Sequence, residues 1–172
     1  MKAKNILITG QPGTGKTTLI RKLIDEFTLN AGGFFTQEVR GASERLGFDI
    51  ITLDGRQGVL ARKGMKSNLR VGRYGVSLED LEEIAVDSIK KALLKNEVVV
   101  IDEIGKMELF SEKFKEAVLR ALDSGKIVLG TTKLASDPFT NMIRQRSDTI
   151  IFELTPKNRE EVKGLIKGLV GV

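Results

Sequence analysis

Near the start of the chain stands Gly10-Gln11-Pro12-Gly13-Thr14-Gly15-Lys16-Thr17, with Thr18 directly behind it. It satisfies G-x-x-x-x-G-K-[ST] at each defined position. Glycines let such a loop curl so that successive backbone N–H groups point at bound phosphates, and the helix that follows adds its positive end. In that arrangement Lys16 reaches the β and γ phosphates, and the Thr17 hydroxyl is a ligand for Mg²⁺. An ordinary glycine-rich turn is the competing reading, but the context speaks against it. Ile6-Leu7-Ile8 makes an aliphatic strand ahead of the loop, and Leu19, Ile20, Leu23, Ile24 and Phe27 recur at helical spacing behind it.

Strands and helices alternate through the rest of the chain. Ser77 and Asp80 stand in capping-box spacing before Leu81, Ile84, Ala85, Ser88, Ile89, Ala92 and Leu93, which predicts an amphipathic helix. Val98 to Ile101 is an aliphatic run of the kind buried on both faces of a parallel sheet, and it ends in Asp102 and Glu103. A helix follows with Phe114, Ala117, Val118, Ala121 and Leu122 on one face, stopping at Gly125. Strands over Ile127 to Leu129 and Thr149 to Leu154 flank a short helix that Asp137 caps and Pro138 begins, and Thr155-Pro156 introduces the last helix. The pattern predicts one three-layer α/β domain over residues 1–172, with a mainly parallel sheet and right-handed crossovers. Gly33 to Lys63 breaks the alternation: three strand-like segments with Asp54-Gly55 as a turn predict a β-hairpin insertion after the first helix.

Composition narrows the chemistry. The chain has no cysteine and no histidine, so thiolate nucleophiles, disulfides, zinc-cysteine sites and imidazole bases are all excluded. Acid or base work near neutral pH falls to carboxylates, lysines, Tyr74 or water on a metal. Asp102 occupies the place of a metal-holding carboxylate at a strand end, and Glu103 beside it is the best placed general base, or else a carboxylate that caps the sheet edge. Lys106 is a candidate for stabilising charge on a transferring phosphoryl group, with Glu108 to position it, and both are equally readable as surface charges. Hydroxyls in Gly130-Thr131-Thr132 are candidates for sensing the γ phosphate or plain strand-end caps, Arg144 and Arg146 for an arginine finger or plain surface charges, and Thr155 to Arg159 for cradling a base or capping the last helix.

The net charge is +5, and Arg40, Arg45, Arg56, Arg62, Lys63, Lys66, Arg70 and Arg73 face only Glu44, Asp49 and Asp54 in their segment. That local excess matches the excess of the whole chain, and it reads either as a lid or anion-binding surface or as a solvated basic face. Tyr74 and Phe48 are too few to make a stacking platform for single-stranded nucleic acid, so nucleoside triphosphates are the expected partners. The N-terminal apolar run is too short for a signal segment or a membrane span, and the expectation is a cytoplasmic monomer.

Together, GQPGTGKTTL, GFFTQEVR at Gly33, LGFDIITLDG at Leu46, VGRYGV at Val71, VVVIDEIGKMELF and FELTPKNR resemble the THEP1-type nucleoside-triphosphatases, a family that includes the human cancer-related enzyme. The resemblance implies a P-loop NTPase core of the RecA-like (ASCE) type, in which another strand separates the phosphate-loop strand from the Asp102 strand. It implies Mg²⁺-dependent hydrolysis of ATP, GTP, CTP, UTP and TTP. It also implies nucleotide contacts at Gly10 through Thr18 and a second nucleotide-associated segment at Val99, Val100, Ile101, Asp102, Glu103, Ile104, Gly105 and Lys106. A small kinase and a nucleotide-dependent RNA-binding module remain alternatives. A guanine-specific switch does not, because Thr132-Lys133-Leu134-Ala135 lacks the carboxylate of Asn-Lys-x-Asp.

Overall fold

The structure, a computed structural model, describes residues 3–172. Among the described residues nine strands form one sheet in the order β5 (Arg70–Val71), β6 (Tyr74–Val76), β4 (Gln57–Lys63), β3 (Arg45–Thr52), β2 (Ala31–Arg40), β7 (Val98–Ile104), β8 (Ile127–Thr132), β1 (Asn5–Thr9), β9 (Thr149–Glu153). Its core is parallel: β2 (Ala31–Arg40) on β7 (Val98–Ile104), β7 on β8 (Ile127–Thr132), β8 on β1 (Asn5–Thr9), and β1 on β9 (Thr149–Glu153). β8 thus lies between the phosphate-loop strand β1 and the Asp102 strand β7, as the resemblance implies.

Two apolar cores form because alternate residues of each central strand point to opposite faces. Leu7, Val99, Ile101 and Val128 pack with Leu81, Ile89, Phe114, Val118 and Ile143 on one face. Ile6, Ile8, Val98, Val100 and Leu129 pack with Leu19, Ile20, Leu23, Val162 and Ile166 on the other. Helices α1 (Lys16–Glu26) and α6 (Arg159–Val170) therefore cover one side. The other is covered by α3 (Asp87–Lys95), α4 (Glu112–Asp123) and α5 (Pro138–Arg144). Capping follows the sequence. The Ser77 hydroxyl accepts from Asp80 N at 3.2 Å, Ser111 from Phe114 N at 3.0 Å, and Asp137 from Phe139 N at 2.9 Å and Thr140 N at 3.0 Å. The helix opening at Ser77 holds a wider π turn over Leu81–Val86, between α2 (Leu78–Asp80) and α3.

The insertion is larger than expected and is continuous with the main sheet. β2 pairs with β7 through Ala31 to Phe34 and with β3 (Arg45–Thr52) from Phe34 onward. Past β3 and β4 (Gln57–Lys63) the sheet adds β6 (Tyr74–Val76) and β5 (Arg70–Val71), so the extension ends at Val76 and not at Lys63. These last strands are too short for periodicity to reveal. Where β2 changes partner, Gly33 has φ 113°, and a Cβ there would collide with the Val100 carbonyl oxygen. Only glycine lets β2 approach β7 so closely. Among the described residues no helix is long and apolar enough to cross a membrane.

Phe114 is fully buried and meets the Phe34 ring edge-on, with centroids 6.1 Å apart. Phe114→Ala is expected to lower the unfolding free energy by about 3–5 kcal/mol, read from urea denaturation. A loss under about 1 kcal/mol would mean this face is not a packed core.

Candidate functional site

β1 delivers the chain to the carboxyl edge of the sheet, and the loop 10–15 turns it into α1. Gly15 caps α1 in a left-handed conformation, φ 89°. The Thr14 hydroxyl donates to Gln11 O at 2.9 Å and closes the curl from within. Lys16 Nζ lies across the loop, donating to Gly10 O at 2.8 Å and Gln11 O at 3.4 Å. Those are carbonyl partners that phosphate oxygens can replace. Thr18 is exposed on the outer side of the same turn.

The two halves of the site meet at Asp102. Its carboxyl is 2% exposed and accepts the Thr17 hydroxyl on Oδ2 and the Thr131 hydroxyl on Oδ1, both at 2.6 Å. Burial pushes its pKa up, opposed by those two hydroxyls, by a hydrogen bond from the Thr36 backbone and by the charge of Arg21. β7 extends beyond Asp102 to Ile104, so Asp102 and Glu103 lie within the strand and not at its end. Val99, Val100 and Ile101, read as nucleotide-associated, are fully buried, and Ile104 is 1% exposed. Their side chains belong to the apolar cores. They serve the site by carrying Asp102 to the edge.

Glu103 is half-buried, and burial raises its pKa. The charge of Lys133 opposes that, with its Nζ 3.9 Å from Glu103 Oε1. Glu108, in the turn after β7, is 3% exposed. Burial, reinforced by the Glu103 charge, pushes its pKa up to about 8. Gly105 leaves room for both carboxyls: a Cβ there would collide with Glu103 Oε1 and stand 2.9 Å from Glu108 Oε2. Glu108 is therefore no surface charge. Lys106, exposed, has no ion pair among the described residues.

Other candidates separate. Thr131 is committed to Asp102, while the Thr132 hydroxyl is buried with no partner. Arg144 donates to Lys133 O at 2.6 Å near the carboxyl edge. Arg146 is clamped by Asp148 and Asp123 beside the start of β9, at the opposite edge of the sheet, and reaches no phosphate on the loop. Arg21 was legible and missed: it follows Thr17 by one helical turn, close enough for its charge to act on Asp102, and it covers the Phe35 ring at 4.2 Å. Lys133 carried no signal of its own, since only the folded chain brings it to Glu103, whereas Arg159, already a candidate within Thr155 to Arg159, lies over Gly15.

The donor set suits a Mg²⁺ shared with phosphates. Among the described residues no group of three or more acidic side chains is arranged to hold a metal ion alone. Mg²⁺ is commonly bound by one or two protein oxygens together with substrate phosphates and water, and Thr17 and Asp102 offer such a pair.

A family model described as NTPase matches residues 5–167. The nucleoside-triphosphatase THEP1 of Thermotoga maritima is 54% identical, with 91% of this chain and 90% of that protein covered. The crystal structure of THEP1 from the hyperthermophile Aquifex aeolicus superposes with a TM-score of 0.88 at 37% identity, covering 98% of this chain and 99% of that one. The solution structure of a human cancer-related nucleoside triphosphatase gives 0.83 at 38% identity, covering 98% of each.

A carboxyl whose folded pKa is about 8 keeps its proton in the fold while the unfolded chain, near the ordinary 4.5, loses it. Stability then falls as pH rises between those values, because the folded state binds more protons. Glu108→Gln should flatten that decline and leave the protein more stable than the parent at pH 8–9, followed by thermal melts across pH. An unchanged pH dependence would show that Glu108 is not held neutral.

Proposed function

This chain belongs to the THEP1-type nucleoside-triphosphatase family, and on that premise we propose that it hydrolyses nucleoside triphosphates to diphosphate and phosphate, with broad tolerance of the base. The observation that carries the reading is the 2.6 Å contact between Thr17 and Asp102. It joins the phosphate loop to a buried carboxylate with a second carboxylate, Glu103, next in the chain.

The loop amides from Gly10 to Thr17 bind the β and γ phosphates, and Lys16 exchanges its loop carbonyl partners for their oxygens. Thr17 and Asp102 would hold Mg²⁺, which when bound would supply positive charge where negative charge accumulates in phosphoryl transfer. The Thr131 and Thr17 hydroxyls favour the ionised form of Asp102 against its burial. Glu103 accepts a hydrogen bond from a water in line with the γ phosphorus and takes its proton as the bond to phosphorus forms. Lys106 stands free to reach the transferring group, and Glu108, neutral, donates no second negative charge to the pocket. Positioning and electrostatics account for most of the acceleration.

Glu103→Gln should retain nucleotide binding, measured by calorimetry, and lose about 10²–10⁴-fold in phosphate release. Full activity in that variant removes Glu103 from the role of base. Chelating divalent cations should abolish phosphate release from each of the common nucleotides, and added Mg²⁺ should restore it. Release that persists in chelator contradicts the Thr17–Asp102 metal site. Phosphate release without any acceptor separates a hydrolase from a small kinase, which transfers label to a metabolite instead.

A further inference from the structure

Sheet order sets the direction in which a nucleotide lies. Asp102 and Glu103 stand on β7, two places from β1 on one side, and β9 flanks β1 on the other. With the terminal phosphate turned towards Asp102, the nucleoside leaves the loop on the β9 side, beside the segment that joins β9 to α6. That segment is held rigidly against the phosphate loop. Leu154 N donates to Thr9 O at 2.7 Å, and Asn158 staples the turn, accepting from Thr155 N and donating to Glu153 O, both at 2.8 Å. A Cβ on Gly10 would stand 2.6 Å from Leu154 O, so the two segments touch backbone to backbone.

Arg159 opens α6 directly behind this staple. A Cβ on Gly15 would lie 3.5 Å from its Cζ, 3.5 Å from Nη2 and 3.7 Å from Nε. One point nearly equidistant from three atoms of a plane lies over that plane. The guanidinium therefore presents one flat face to the phosphate loop, and since Arg159 is exposed, its surroundings beyond the loop are open to solvent. Among the described residues its side chain makes no ion pair or hydrogen bond, unlike Arg146, Arg56 or Arg62, each fixed by a carboxylate.

We propose that Arg159 is the platform on which the nucleobase stacks, a positioning residue that binds any base by its face and reads none by its edge. Every nucleobase has a π face, and an arginine plane stacks on it without needing a particular pattern of donors and acceptors. Tryptophan and tyrosine do not compete for the role: the chain has no tryptophan, and its one tyrosine, Tyr74, sits on β6 in the far extension of the sheet. Such a platform accounts for tolerance of the base without a base-specific pocket. The inference rests on the reading that the triphosphate occupies the loop.

The test compares the parent protein with Arg159→Ala and Arg159→Lys, using ATP, GTP, CTP and UTP as substrates and inorganic tripolyphosphate as a competing inhibitor that fills the loop without a nucleoside. Expected is a rise in KM of roughly tenfold for all four nucleotides in Arg159→Ala. The kcat and the tripolyphosphate inhibition constant should stay unchanged, and lysine, which keeps the charge but loses the plane, should give no rescue. Unchanged KM values would overturn the platform. So would a parallel weakening of tripolyphosphate binding that lysine restores, since that marks a phosphate contact. A parent protein that releases no phosphate from any nucleotide and does not bind tripolyphosphate instead defeats the reading of the loop itself.

Discussion

Everything in the site hangs on a carboxylate taken out of water. Asp102 is nearly inaccessible, and burial of an unpaired carboxylate is costly enough that it would rather take up a proton than stay charged. It is tolerable here because two hydroxyls donate to its two oxygens, Thr17 from the first turn of α1 and Thr131 from the end of β8. Those bonds tie three elements that are remote in sequence, and they set the phosphate loop at a fixed height above the sheet edge. The parallel order β7-β8-β1 follows the same logic: β8 must lie between the other two for Thr131 to reach Asp102 while Thr17 reaches it from above.

The parts of this arrangement written in contiguous residues were legible. The loop at Gly10 to Thr17 and the aliphatic run into Asp102 each carry a local pattern with a physical cause, glycines for curl and β-branched residues for a strand buried on both sides. Asp102 could be named without knowing what held it. Thr131 is visible in sequence only as one of two hydroxyls at a strand end, a candidate γ-phosphate sensor or a plain cap, because no periodicity tells which of Thr131 and Thr132 turns towards the neighbouring strand's carboxylate. The end of the extension was misread for a different reason: β5 has two residues and β6 three, and their pairing depends on β4, not on their own pattern.

Charge in the extension shows how a count misleads when geometry is missing. Arg45 pairs with Glu38, Arg62 with Asp49, Lys63 with Glu44, and Arg56 with Asp54 and Asp87. Two of those acceptors, Glu38 and Asp87, lie outside the segment from Arg40 to Arg73, so the excess read within it overstates the bare positive charge. The extension is also hydrogen-bonded into the main sheet through β2, which makes it a wall beside the site more than a lid over it. Lys66, Arg70 and Arg73 have no ion pair among the described residues, and any attraction for a polyanion rests on them.

In this chain without histidine, burial moves the carboxyls of the site upward from their ordinary range. Asp102, Glu103 and Glu108 are all shifted upward by the same cause, yet by different surroundings. Asp102 has two hydroxyl donors, and Glu103 has Lys133 at the limit of an ion pair. Glu108 has a like charge for a neighbour and no cation in contact. Three ionised carboxylates this close would repel one another and the triphosphate alike. Burial that favours the protonated form of Glu108 removes one of them, and Glu103 has Lys133 beside it as a counter-charge. The division of labour among three chemically similar side chains comes from what each one touches, which is why the DEIGKME segment could be recognised in sequence long before the roles within it could be assigned.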